Sequence, residues 1–283
     1  MRRTRVSQLV AIVRHGNRAL AKAQIGRHAV ESHSPTAYLM QPKTIDSPPT
    51  KELAGVHIPD TPLVTKALDF ARQHSTDYTY NHIVRSALFG FIISDKLPRT
   101  KERDREAHAV AAILHDLGFP IGHPPHSEVL SNDKRFEVDG ANAAREFLKR
   151  EADPQQWGKH RLQLVWDSIA LHTIGTVVFH KEPECQACSY GIWADFQGPD
   201  RVPGGVLTWD EYNRVVQEFP RLGLMRGLKE NMLHLCKMKP DTTYDNTVGE
   251  WGDRYLQGEG YNREGKLTQN LLETCDLDEK EAK

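Results

Sequence analysis

Ala111-Ala-Ile-Leu-His115-Asp116-Leu-Gly118 is the stretch that decides how this sequence folds. It ends a predicted helix whose preceding turns are apolar, and it places an imidazole beside a carboxylate. Burying both groups in an apolar environment is costly unless they bind something. A single His-Asp pair is equally consistent with a histidine at a helix end and a solvated aspartate, so the interpretation depends on a further residue.

His82 is that further residue, because it lies early in the preceding predicted helix. That helix spans residues 78–97 and stops before a proline, and the helix carrying His115-Asp116 spans residues 103–117. Two antiparallel helices joined by a short turn bring the start of the first close to the end of the second. Two imidazoles and a carboxylate form a site suited to Zn²⁺ or Fe²⁺.

The remaining pattern predicts more helices and irregular loops. Thr61-Pro62 combines an N-cap residue with a proline at the first helical position. Residues 119–135 and 181–207 are rich in proline or glycine and are predicted to be loops, and no alternating strand segment of useful length is present. The CxxC at Cys185 and Cys188 is interpreted as incidental. Further helices are predicted over residues 138–150, 161–171, 208–219 and 222–237.

These elements predict an all-α fold with three parts. Residues 1–57 are a basic leader and irregular arm, residues 58–257 form the helical domain, and residues 258–283 are a polar tail. The first 30 residues carry +7 and the rest of the chain −8, for a net charge of −1. An Arg-rich start without acids is typical of a mitochondrial transit peptide or of a plain disordered leader. The expected location is cytoplasmic, with mitochondrial as the alternative.

Composition excludes several classes of function. The 283 residues are 39% hydrophobic and 27% charged, as in ordinary globular proteins. Near-neutral charge argues against a nucleic-acid binder, and no apolar run approaches the ~18 residues of a membrane helix. Four cysteines without a secretory signal indicate a reducing intracellular setting. The expected partner is a small-molecule substrate, with neither nucleic acid nor membrane, and a homo-oligomer is left open.

An ordered set of motifs runs along the chain: Thr79-Tyr-Asn-His82 with Arg85, Leu114-His-Asp-Leu-Gly118, Phe136-Glu-Val-Asp-Gly140, Ile169-Ala-Leu-His172, Trp193-Ala-Asp195-Phe and Phe219-Pro-Arg-Leu-Gly223. This set resembles the HD superfamily of metal-dependent hydrolases, and most closely its cyanamide hydratase-like branch common in fungi. The resemblance covers about residues 55–240 and implies an HD-domain helical bundle with irregular Pro/Gly-rich loops.

The resemblance implies four metal ligands: His82, His115, Asp116 and Asp195. Asp195 rests on the resemblance alone, because nothing in the spacing separates it from other acids nearby. Dinuclear members carry an additional histidine where this chain has Phe136. One divalent metal is therefore expected, with Zn²⁺ favoured over Fe²⁺. The alternative is a second metal site supplied by His123, His126 and His172, which are near enough in the sequence.

Four other residues complete the predicted site. His172 ends a helix and is either a catalytic group facing the metal or a histidine favoured by the helix dipole. Glu137 is a catalytic candidate, although acids are favoured at helix starts in any case. Asp116 is expected to hold the metal and to accept a hydrogen bond from the reacting water. Arg85 and His126 are candidates for binding substrate.

The expected activity is addition of water to a small molecule, with conversion of a nitrile to an amide as the leading hypothesis and urea as the product of cyanamide. The first alternative is an HD-type phosphohydrolase acting on a nucleotide or other phosphate monoester. Arg85 and Lys134-Arg135 would then bind the phosphate. The second alternative is a metal-stabilised binding domain without catalysis.

Overall fold

The computed structural model describes residues 48–123 and 127–275. Every element below lies in the unit Thr50–Lys283. Most of the predicted leader and the whole of His126 lie outside the described residues. Within the described ranges, no helix combines the length and the apolar character needed to cross a membrane.

The fold is all-α, as predicted, with one small hairpin added at its start. Short 3-10 turns occur at Pro199–Arg201, Pro203–Gly205, Pro240–Thr242 and Gln257–Glu259. The strands are β1 (Thr50–Leu53) and β2 (Val56–Pro59), and the helices are α1 (Pro62–Gln73), α2 (Asp77–Lys96), α3 (Arg105–Leu114), α4 (Phe136–Glu151), α5 (Lys159–Ala170), α6 (Gly175–Val178), α7 (Pro183–Gln197), α8 (Trp209–Glu218), α9 (Leu224–Met238), α10 (Thr247–Tyr255) and α11 (Thr268–Glu273).

Side-chain caps fix the starts of several helices where the sequence predicted them. The Thr61 hydroxyl accepts from the backbone N–H of Val64, and proline occupies the first turn of α1. Thr208 and Glu211 form a reciprocal capping box at the start of α8. α9 begins two residues later than predicted, because Leu222 and Gly223 adopt left-handed backbone conformations with φ of 48° and 76°.

The hairpin of β1 and β2 was not predicted, since each strand has only four residues. The strands pair antiparallel, with Thr50 opposite Pro59 and Leu53 opposite Val56. The two turn residues, Ala54 and Gly55, both have positive φ, as a tight two-residue hairpin requires.

Helix α7 corrects the prediction of a loop over residues 181–207. Proline at the first turn is compatible with a helix start, and the internal glycine marks close packing. A Cβ on Gly191 would lie 1.9 Å from the carbonyl oxygen of Ser86, and one on Gly90 would lie 2.9 Å from that of Ala187. These glycines let α7 pack directly against the backbone of α2, which is the most extensive helix pairing in the described residues.

Gly118 also permits a close contact between segments and does not cap a helix. Helix α3 already ends at Leu114, and Gly118 is not among the glycines with positive φ. A Cβ on Gly118 would lie 1.8 Å from the carbonyl oxygen of Phe136, at the start of α4. The glycine therefore lets α4 approach the turn that holds His115 and Asp116.

Substitution Gly191→Ala should destabilise the fold, because the added methyl group overlaps a backbone carbonyl of α2. We expect the free energy of unfolding to fall by about 3 kcal/mol, the upper part of the range for overpacking. Denaturation followed by circular dichroism measures the change. Gly175→Ala is the matched control, since its Cβ would stay 3.6 Å from Phe179. Equal stability of the two variants would contradict the packing explanation.

Candidate metal centre

Three side-chain atoms from neighbouring helices converge at the predicted site. His82 lies in the second turn of α2, His115 caps the end of α3, and Asp116 follows it. The Nε2 atoms of the two histidines are 3.3 Å apart. Asp116 Oδ2 lies 3.3 Å from His115 Nε2 and 3.6 Å from His82 Nε2. Among the described residues, this is the group of histidines and acids arranged to hold a metal ion.

The hydrogen bonds on the far side of each ring determine which nitrogen faces the cluster. His115 Nδ1 donates to the carbonyl oxygen of Ala112 at 2.8 Å. His82 Nδ1 donates to Asp195 Oδ2 at 2.6 Å. Carbonyl and carboxylate oxygens only accept, so both Nδ1 atoms carry the proton and the neutral rings present lone pairs at Nε2. Such outer partners are typical of metal-binding histidines.

The cluster therefore fits a small divalent cation. Asp116 Oδ2 is buried and has no hydrogen-bond partner in the described structure. Tetrahedral ligands at the 2.0–2.1 Å typical of Zn²⁺ are about 3.4 Å apart, close to the three separations observed between His82, His115 and Asp116. A cation between these atoms would compensate the two lone pairs and the carboxylate, which otherwise face one another.

The electrostatics of the cluster agree with this interpretation. Burial lowers the pKa of His82, and Asp195 offsets this only in part. Burial also opposes protonation of His115, but the Asp116 carboxylate outweighs it and raises the pKa of His115. The pKa of Asp116 is lowered: burial alone would raise it, and the neighbouring His115 and His82 reverse the direction. A proton on His115 and a metal ion are thus alternative ways to compensate Asp116.

His172 lies on the other side of the same carboxylate. It follows α5, and its Nδ1 donates to the carbonyl oxygen of Ile169 at 2.7 Å. Its Nε2 points towards the cluster, 4.0 Å from Asp116 Oδ1. Burial, reinforced by His115, lowers the pKa of His172 to about 4. The structure thus places this candidate beside the cluster with an unprotonated Nε2.

Glu137 is buried next to the segment that carries His172. Its Oε1 accepts from the Thr173 hydroxyl at 2.7 Å and from Arg135 at 3.0 Å. Thr173 directly follows His172, so Glu137 fixes the chain beside that histidine. Its predicted catalytic role stays a prediction.

The structure does not bring Asp195 to the Nε2 side of the cluster. Its carboxylate lies at the opposite edge of the His82 ring and accepts from Nδ1. Arg85 donates to it twice, from Nε to Oδ1 and from Nη2 to Oδ2, each at 2.8 Å. Burial raises the pKa of Asp195, but hydrogen bonds from Arg85 and His82 more than reverse this, so the carboxyl group is held ionised. Its predicted role as fourth ligand stays a prediction.

Arg85, a predicted substrate-binding residue, makes its contacts within the protein. Its side chain is fully buried, and the Nη1 group donates to the carbonyl oxygens of Phe219 and Pro220 at 2.9 and 3.2 Å. With Nε and Nη2 on Asp195, each of its three nitrogens already donates within the protein. The arginine thus holds a carboxylate of the chain, and its predicted role in substrate binding stays a prediction.

Arg221 also donates hydrogen bonds to Asp195, and the sequence did not single it out. Its Nη1 donates to Asp195 Oδ1 at 2.9 Å and to the backbone oxygen of Asp195 at 2.8 Å. The available signal was the Phe219-Pro-Arg-Leu-Gly223 motif, which carried the family resemblance without indicating a contact with Asp195.

Two other groups of residue types that can bind metal lie outside the cluster. His123 uses both ring nitrogens, towards the Ser127 hydroxyl and the carbonyl oxygen of Leu117. Cys185 and Cys188 are buried in α7 as free thiols. Burial raises the pKa of Cys185 to about 11, which disfavours the thiolate that metal binding or redox chemistry requires.

Zinc should bind to this cluster and stabilise the fold. After treatment with a chelator, the protein should take up about one Zn²⁺ per chain, by elemental analysis. Zinc at 100 times its dissociation constant should add about 2.7 kcal/mol to the free energy of unfolding. Asp116→Asn should abolish most of this binding, whereas Asp210→Asn, an exposed acid in α8, should not. A wild-type protein that retained less than about half an equivalent would contradict the assignment.

Comparison with known proteins agrees with this geometry. The family model described as HD domain matches residues 79–187. The match includes His82, His115, Asp116 and His172, whereas Asp195 lies beyond it. A search of curated proteins found no match to the chain. Residues 79–187 are therefore similar to the HD domain.

Proposed function

We propose that this protein is a metal-dependent enzyme that adds water to a small, uncharged molecule. The observation that carries the proposal is the convergence of His82 Nε2, His115 Nε2 and Asp116 Oδ2 within a segment that matches the HD domain. Within that class, the proposed reaction is hydration of a nitrile to an amide. Cyanamide, H₂N–C≡N, would gain one water and become urea.

The residues of the cluster divide the work between holding a metal and moving a proton. A bound divalent metal supplies Lewis acidity and makes water nucleophilic near neutral pH. His82, His115 and Asp116 would hold it. Asp116 Oδ1, which faces His172, is placed to accept a hydrogen bond from the water. His172 Nε2, with its proton-free lone pair, is placed to take up the proton and return it to the substrate nitrogen.

Burial of the cluster favours a small substrate. The exposed fractions are 2% for His82, 0% for His115, 3% for Asp116 and 3% for His172. A compact nitrile needs far less room beside these side chains than a nucleotide does.

The cations proposed for the phosphatase alternative are occupied elsewhere. Arg85 holds Asp195, Arg135 holds Glu137, and Lys134 pairs with Asp133 at the surface. A phosphate ester needs such groups free to bind its charge. Their engagement supports an uncharged substrate over a phosphate monoester.

Turnover on a panel of compounds tests the proposed reaction. Zinc-loaded protein is incubated with cyanamide, other small nitriles and phosphate monoesters, and urea, amide and phosphate are measured. We expect amide products, with urea from cyanamide, and loss of turnover in Asp116→Ala. Phosphate release alone would favour the phosphohydrolase, and zinc binding without any turnover would favour the binding domain.

His172→Gln should separate proton transfer from metal binding. Loss of a general acid–base typically costs about 10²–10⁴-fold in turnover, and zinc content should stay unchanged because the ligand set is intact. His160→Gln, an exposed histidine on α5, is the matched control and should retain full activity. An unchanged turnover number in His172→Gln would show that another group carries the proton.

A further inference from the structure

The Asp195 carboxylate is saturated by donors from three side chains. Oδ1 accepts from Arg85 Nε at 2.8 Å and from Arg221 Nη1 at 2.9 Å. Oδ2 accepts from Arg85 Nη2 at 2.8 Å and from His82 Nδ1 at 2.6 Å. An ionised carboxylate offers about four acceptor sites, so this arrangement leaves none for a metal ion.

The position of Asp195 relative to His82 also indicates that the carboxylate supports the histidine and does not bind the metal. His82 presents Nε2 to His115 and Asp116, and presents Nδ1 to Asp195. The two nitrogens lie at different edges of the ring, so Asp195 and the cluster flank His82. A carboxylate behind a ligating histidine fixes the tautomer and the ring orientation.

The segment from residue 219 to residue 222 holds this carboxylate in place. Its carbonyl oxygens at Phe219 and Pro220 accept from Arg85, and Pro220 also accepts from Asn81 of α2 at 2.8 Å. Arg221 reaches back to Asp195 and donates to the Tyr212 hydroxyl at 3.1 Å.

The backbone conformation of Leu222 is connected with the contact between Arg221 and Asp195. Its φ is 48°, a conformation that costs energy for a residue with a β-carbon, and its side chain is 52% exposed. Packing of Leu222 therefore does not account for the conformation. The left-handed backbone turns the chain so that Arg221, the preceding residue, can point to Asp195 while α9 begins after Gly223.

We propose that Arg221 is a positioning residue of the metal centre, acting through Asp195 on His82 and thereby setting metal affinity. The inference rests on the proposed metal-dependent function and adds to it a residue outside the matched HD segment. Removal of Arg221 leaves Asp195 with three of its four donors and frees the carboxylate to shift. His82 then loses part of the support that directs Nε2 towards His115 and Asp116.

Zinc affinity of purified apo-protein tests this inference, measured by competition with a chromogenic chelator. Arg221→Ala should raise the dissociation constant for Zn²⁺ about ten-fold, the lower end of the effect of outer-shell partners. Stoichiometry and the melting temperature of the apo-protein should stay close to wild type, because Arg221 is about one-third exposed, with 31% of its side chain accessible. Arg221→Lys should recover part of the affinity, and Arg226→Ala, an exposed arginine on α9, should bind like wild type.

The visible spectrum of bound Co²⁺ distinguishes positioning from direct ligation. If Asp195 supports His82, Asp195→Asn should weaken Co²⁺ binding and leave the shape of the absorption bands unchanged. A changed band shape would show that Asp195 binds the metal directly and would overturn the inference. Wild-type affinity in Arg221→Ala would overturn it as well. A wild-type protein that binds no zinc would instead refute the proposed function.

Discussion

The paired hydrogen bonds from Arg85 to Asp195 are the interaction on which the rest of the site depends. Arg85 is completely buried, and a buried guanidinium is tolerated only when its charge and its donors are matched. Asp195 supplies the charge, and two backbone carbonyls take the remaining donor. This match requires α7 to pass close to α2, which the glycines at 90 and 191 permit. The charge of Arg85 is therefore compensated only when α7 packs closely against α2.

The geometry of the cluster depends on the contact between Arg85 and Asp195. His82 is aligned by Asp195 on one side and meets His115 and Asp116 on the other. His115 and Asp116 are in turn placed by the end of α3, against which α4 can settle because residue 118 lacks a side chain. The cluster atoms come from a local pair of helices, and His115 is oriented by Ala112 of its own helix. The carboxylate that orients His82, in contrast, comes from a distant part of the chain.

Sequence reasoning succeeded where the relevant contacts were local and failed where they were not. Caps, prolines and apolar spacing predicted most helices, and the positions of His82 and His115-Asp116 on adjacent helices predicted the cluster. Helix α7 was missed because Gly191 suggests a loop when its neighbour in space is unknown. The contact between Arg85 and Asp195 was missed for a related reason: the two residues are 110 positions apart in the chain. Spacing alone gives no indication of such a pairing.

The separation between Arg85 and Asp195 has a consequence for biosynthesis. A nascent chain acquires the helices carrying His82, His115 and Asp116 well before it acquires α7. During that interval the arginine lacks its counter-ion and the cleft that will bury it is open to water, so the intermediate must keep Arg85 hydrated. Closure of the hydrophobic core around α2 must then wait for the ribosome to release residue 195 and the Phe219–Leu222 segment. The groups that orient His82 are accordingly complete only after residue 222 has emerged, so any metal that enters a fully ordered cluster would enter it late.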